Sequence, residues 1–274
     1  MGQNAGILGT GHSYPEGILT NADLEKMVET SDEWITTRTG IKERRLATAD
    51  DTTVSMALTA SREAIEIAGI HQAEIGAVNA AGMDVFAACS GFLYGLTMVE
   101  SMIRTGQAKY VVVVGAEVLT KYVDYTDRGT CVIFGDGAGA AVLGPVEEGK
   151  GILATKIKSD GRYAEQLYSP GGGTRLGLPH ESIDNRDCFF KMKGNELFKV
   201  AVRSMADISA EMLEKAGVSA DEVDLVIPHQ ANQRITDAVA ARLSVPEEKV
   251  FSNIAEHGNT SSASIPIAKD ECIE

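Results

Sequence analysis

Twice along this chain an apolar run stops at a residue capable of chemistry and passes directly into helical periodicity: DVFAACSGFLYGL at residues 84–96 and DLVIPHQANQRI at residues 224–235. A strand that feeds a helix through a sharp turn leaves the turn residue at the carboxyl edge of a sheet, where α/β proteins place their ligand crevices. One such unit in each half, with negligible identity between the halves, predicts a duplicated α/β architecture. The rest of the sequence fits it. Residues 111–114 (VVVV) read as a fully buried strand, 225–227 as another, and 84–88 as a short one before Cys89. Helical stripes run through Val54, Leu58, Ile65 and Ala68 before Gly69, and through Leu197, Ala201, Met205, Ile208 and Met212 before Gly217. Both stripes are expected to be core. The break GPVEEGKG at 144–151 separates the glycine-rich strand segment 134–143 from a strand expected at 152–157, which divides the chain into halves 1–148 and 149–274.

Of the 274 residues, 44% are apolar and 23% charged, a soluble globular balance. No stretch approaches the roughly 20 uncharged apolar residues of a membrane span, and the N-terminus lacks the pattern of a secretory leader, so a cytoplasmic protein is expected. The net charge of −14 opposes nucleic acid and anionic membranes, and any acidic partner must meet a local basic patch. The four cysteines have neither disulfide-framework nor zinc-ligand spacing, so no metal is expected. Gly9-Thr10-Gly11 is not a dinucleotide fingerprint, because Tyr14 stands where its third glycine belongs. GDGAG at 135–139 lacks the Lys-Ser/Thr of a phosphate loop and reads as close packing.

The spacing Phe92, Leu96, Val99, Ile103 marks a helix ending at Gly106 and puts Cys89 at its N-terminus. Unsatisfied amides there favour the thiolate and draw a thiol pKa of about 8.5 toward neutrality. A cysteine also serves as a small buried hydrophobe, and both readings stand at this point. His229, in PHQAN, follows a buried strand, with Asn232 placed to cap the helix through Ile235 and Val239. Asn259 lies in HGNTSSAS, where an ordinary turn would use the same residue. Taken together, the three can do connected chemistry: Cys89 can form a thioester, while His229 and Asn259 can donate hydrogen bonds to a carbonyl oxygen becoming an enolate. Since an amide does not titrate near pH 7, Asn259 cannot abstract a proton, which points to decarboxylation of a malonyl extender as the source of the carbanion.

DVFAACSGF, GDGAGAAVL, MKGNELFKVAV, VIPHQAN and HGNTSSAS, in that order, resemble the β-ketoacyl-acyl carrier protein synthase III family over nearly the whole chain. The resemblance implies a thiolase-like fold of two duplicated halves and a homodimer. It also implies a ping-pong reaction: acyl-CoA loads Cys89, malonyl-carrier protein then loses carbon dioxide with the help of His229 and Asn259, and its enolate attacks the thioester. No cofactor is implied, since CoA enters as a thioester substrate. Trp34 and Arg128 are carried over as the residues that sandwich the CoA adenine, with Thr30 and Arg38 beside them and Asn195 and Ala231 near the pantetheine. Lys199, Arg203, Arg234 and Arg242 are candidates for docking the acidic carrier protein. The sequence departs from the family where HQAEI at 71–75 runs straight into GAVNAAGMD, since members carry a strand and a helix there. Its last residues, 270–274, also stop short of the family's final strands and glycine-rich loop. A polyketide or alkylquinolone-type starter synthase and a non-catalytic acyl-CoA-binding subunit are the competing readings.

Overall fold

The computed structural model describes residues 4–70, 79–171 and 185–273. Strand β1 (Asn4–Ser13) leads into a small pair, β2 (Ile18–Thr20) and β3 (Glu43–Arg45), which encloses helices α1 (Asn21–Leu24) and α2 (Asp32–Thr39). Helix α3 (Thr53–Ile67) follows, then α4 (Gly91–Arg104), β4 (Val111–Glu117), α5 (Arg128–Cys131) and β5 (Gly137–Val146). Beyond these come the pair β6 (Leu167–Tyr168) and β7 (Lys191–Met192), the long α6 (Gly194–Ala216), α7 (Gln233–Leu243), α8 (Ile254–His257) and α9 (Ser264–Glu271).

The main sheet has the order β1-β5-β4, antiparallel throughout. Its middle strand shows why it forms, because alternate side chains serve opposite layers. Ala138, Ala140 and Val142 pack with Met56, Ala60 and Ala64 of α3, whereas Ala141 and Leu143 pack with Phe92, Val99 and Ile103 of α4. The side chains of β5 are small because the layers are close. A Cβ on Gly139 would lie 2.7 Å from the backbone nitrogen of Ile267 in α9, so GDGAG serves close packing, as the sequence predicts. A Cβ on Gly115 of β4 would lie 2.5 Å from the backbone oxygen of Ser262, which lets the segment before α9 press against the sheet. Helix α9 is tied down at its far end, where Asp270 is 2.6 Å from His12 Nδ1 and accepts from Thr10, and Glu271 meets Tyr14 and His257.

Several sequence expectations are corrected. Thr52 caps α3 through a capping box with Ser55, as good N-terminal chemistry requires, but the buried stripe is Met56, Ala60 and Ala64, and Val54 is 74% exposed. The tight helix-to-sheet separation selects alanines over the larger residues of the expected stripe. In α6 only Ala206 is fully buried; the expected stripe is half-buried, with Ala201 and Met205 packed toward Ile235 and Val239 of α7. Residues 111–114 do form strand, yet Val114 is 37% exposed, because no described strand pairs the outer edge of β4. The segments expected as strands at 84–88 and 152–157 form none, Ala88 already belonging to the turn that carries Cys89, and 225–227 contributes one parallel bridge, Val226 with Val250. Apolar runs become strands only when a neighbour completes their hydrogen bonds, and among the described residues Ile152 makes one backbone bond, donating to the Ala5 carbonyl at 2.8 Å. The junction between residues 75 and 76 lies outside the described residues.

Candidate active site

Cys89 sits in a single 3-10 turn, Ala88–Ser90, that runs into α4. Ala88 before it takes a left-handed conformation with φ of 46°, uncommon for a residue with a side chain, and the turn presents Cys89 half-buried. Its Sγ accepts a hydrogen bond from the Ser261 hydroxyl at 3.5 Å. Burial pushes the thiol above its ordinary value, the Glu117 carboxylate adds to that, and only Ser261 and the backbone oppose it. This corrects the expected thiolate near neutrality: the helix terminus is in place, but loss of water outweighs it.

Asn259 is held by backbone on both sides, its N–H donating to Ile133 O at 2.9 Å and its C=O accepting from Gly135 N at 3.0 Å. Its side-chain Oδ1 accepts from Ser261 N at 2.8 Å, which leaves the Nδ2 hydrogens without a partner among the described residues. His229 lies in the loop leaving the Val226 bridge. Gln230 pins that loop by donating to Pro228 O at 2.8 Å and accepting from Ser252 Oγ and Asn253 N, each at 3.2 Å. His229 Nδ1 is 2.7 Å from Ser264 Oγ, and burial pushes the imidazole down to about 4. It is therefore neutral at physiological pH, suited to donate a hydrogen bond rather than to carry a charge.

A single segment, residues 257–264, joins these groups: Ser261 touches Cys89, Asn259 belongs to it, and Ser264 touches His229. Glu117, at the end of β4, anchors the segment by accepting from the Ser262 hydroxyl at 2.7 Å and the Ser262 amide at 3.3 Å. Ser261, Ser264 and Glu117 escaped the sequence reading. The only signal for the two serines was the unusual run of small polar residues in HGNTSSAS, and Glu117 had none.

Trp34, Arg38 and Arg128 lie together. Ser31 caps α2 by accepting from Trp34 N at 3.1 Å, and the indole has the Arg38 and Arg128 guanidiniums 4.7 and 4.5 Å from its ring centroid. Arg128 also donates to Glu29 O at 2.8 Å, and Thr30 Oγ1 is buried with no hydrogen-bond partner among the described residues. Asn232 donates to Arg38 O at 2.9 Å, joining this cluster to the His229 loop. Ala231 is half-buried in that loop, whereas Asn195 is exposed in the first turn of α6, with no hydrogen bond to the others. Lys199 and Arg203 of α6 and Arg234 and Arg242 of α7 are all exposed on two helices that pack together. Arg234 lies 5.4 Å over the Phe198 ring, Arg203 donates to the Tyr163 hydroxyl at 3.0 Å, and Arg242 pairs with Asp207 at 3.6 Å.

A cysteine at a turn into a helix, a neutral imidazole and a free carboxamide, gathered on an α/β frame, define a thiolase-fold condensing enzyme. The family model for 3-oxoacyl-[acyl-carrier-protein] synthase III matches residues 83–161, around Cys89, and the model of its C-terminal part matches 213–274, around His229 and Asn259. The chain is 46% identical over 292 aligned positions to the β-ketoacyl-[acyl-carrier-protein] synthase III of Caldanaerobacter subterraneus, covering 97% of this chain and 88% of that one. Its structure resembles the crystal structure of 3-oxoacyl-[acyl-carrier-protein] synthase III from Aquifex aeolicus, with a TM-score of 0.88, 47% identity and coverage of 98% and 90%. It resembles equally well, at TM-score 0.88 and 33% identity, the priming β-ketosynthase of the R1128 polyketide pathway, with coverage of 99% and 88%. The chain belongs to the 3-oxoacyl-[acyl-carrier-protein] synthase III family, whose members are acyltransferases.

Proposed function

We propose that this chain condenses an acyl-CoA starter with malonyl-acyl carrier protein to give a 3-oxoacyl-acyl carrier protein, the first carbon–carbon bond of fatty acid synthesis, with Cys89, His229 and Asn259 as its catalytic residues. The observation that carries the reading is the convergence of these three groups on residues 257–264. The Cys89 thiol gives up its proton as its sulfur attacks the acyl-CoA carbonyl, the C–S bond to CoA breaks, and the departing CoA sulfur leaves with a proton as the free thiol. The malonyl group then loses carbon dioxide, and the two electrons of the broken C–C bond pass into the thioester, whose oxygen receives hydrogen bonds from the imidazole N–H and from Asn259 Nδ2. The enolate carbon attacks the acyl-Cys89 carbonyl and expels the Cys89 thiolate. No cofactor takes part, since both substrates arrive already activated as thioesters.

Trp34 and Arg128 are the proposed adenine site, with Thr30 and Arg38 beside it and Asn195 and Ala231 along the pantetheine. Adenine would enter between the Trp34 indole and the Arg128 guanidinium now lying over it, stacking on one and meeting the cation of the other. The exposed cations Lys199, Arg203, Arg234 and Arg242 are the proposed face for the carrier protein, and the reading includes a cytoplasmic homodimer divided near 148. Likeness to the R1128 priming enzyme keeps a polyketide starter in view. Intact-mass measurement after mixing with acetyl-CoA or isobutyryl-CoA tests the reading. One acyl adduct is expected on the wild type and none on Cys89→Ala, with the accepted ester naming the starter; no adduct from either ester would leave a binding-only protein.

A further inference from the structure

The hydrogens around His229 can be counted, and the count bears on the decarboxylation half of the proposed reaction. A neutral imidazole carries one N–H, and the nitrogen that holds it decides what the ring can do. His229 Nδ1 faces Ser264 Oγ at 2.7 Å, and the same hydroxyl oxygen accepts from the Gln230 amide at 3.3 Å. Ser264 is 2% exposed, and these are its only side-chain partners among the described residues. Were Nδ1 to carry the proton, it and the Gln230 amide would both donate to Oγ, and the hydroxyl hydrogen would be buried with no acceptor. With the proton on Nε2, the hydroxyl donates to Nδ1, and the one N–H left without a partner among the described residues is on Nε2, which is not a buried unpartnered atom. A buried donor without an acceptor is the costlier state, so the network selects the second arrangement.

We propose that Ser264 is a positioning residue that holds His229 as the Nε2–H tautomer, and so aims the imidazole's one proton away from α9 toward the thioester oxygen. The proposal rests on the condensation reading for its consequence but not for its geometry. Burial supports it, because an imidazole kept neutral needs a partner to choose between its nitrogens. Ser264 opens α9, and the anchorage of Asp270 and Glu271 fixes that helix, so the hydroxyl is held by an element tied to β1 at its other end.

The test uses Ser264→Ala, which removes the hydroxyl, and Ser264→Thr, which restores it. Nitrogen-15 NMR of histidine-labelled protein, assigned with His229→Gln, reads the tautomer without any substrate. The expected result is Nε2–H in the wild type and Ser264→Thr, and a mixture in Ser264→Ala. Decarboxylation of a malonyl thioester by Ser264→Ala is expected to fall about tenfold and to be rescued by Thr, the range open to one neutral hydrogen bond, while acyl loading of Cys89 changes less than about twofold. An Nδ1–H wild type, or an unchanged tautomer in Ser264→Ala, overturns the proposal, as does equal loss of loading and decarboxylation. If the wild type loads no acyl group, the condensation reading fails by itself and the NMR result still decides the tautomer.

Discussion

His229 and His257 both have imidazoles pushed down to about 4, His229 by burial alone and His257 by burial helped by the Arg45 and His12 charges. In the unfolded chain a histidine takes up its proton near 6.5. Between pH 6.5 and about 4 the unfolded state therefore binds protons that the folded state refuses. The stability these residues contribute is fully present above 6.5 and is lost as the pH falls through that window, by at most about 1.4 kcal/mol per pH unit for each group. Melting temperatures across this range should fall, and His257→Gln should flatten the decline; an unchanged slope in the variant would sink the assignment. At this scale the sequence was legible where a residue type is rare or chemically loaded, as with Cys89, His229 and Trp34. Ser261 and Ser264 are common residues whose importance comes from what the folded chain sets opposite them. Nor could the sequence anticipate the raised Cys89 thiol, which depends on the amount of water excluded and on Glu117, 28 positions away in sequence.

The contact between β4 and the segment before α9 is made possible by one missing methyl group. Gly115→Ala would put a Cβ against the backbone of Ser262 and Ala263, at 2.5 and 2.9 Å, where no flexible side chain can yield. The segment must move, at a cost of about 1–3 kcal/mol, and Ser261 would retreat from Cys89 with it. A lowered melting temperature together with lost acyl loading is expected; a variant that loads normally would show that the segment tolerates displacement. Helices α4 and α7 were readable because helix signals are local: spacing, a capping Asn232, a closing glycine. Strands are not local in this sense. Residues 84–88 and 152–157 have the composition of strands, but composition supplies only one half of a ladder.

Over the whole molecule, the net charge of −14 opposes an acidic carrier protein, so each cation on the docking face proposed for α6 and α7 counts for more than its number suggests. Arg242 is partly neutralised by Asp207, and Arg234 is drawn over Phe198, whereas Lys199 has no such contact among the described residues. Lys199→Glu should raise KM for malonyl-carrier protein about 3- to 10-fold at low salt, less at high salt, and leave acyl loading from CoA alone. Steady-state kinetics at two ionic strengths would decide; an unchanged KM would place the docking face elsewhere. The architecture was legible because five motifs in order span the chain, while the charge map depended on which helices turn the same way.

The dependence of three chemical groups on residues 257–264 also bears on how such an enzyme can diversify. A displacement of that stretch's backbone would shift the contacts of Cys89, Asn259 and His229 together, so it offers selection no graded path. Adaptation to new starters is thereby channelled into the surrounding walls, where one side chain can vary while the chemistry is inherited as a block.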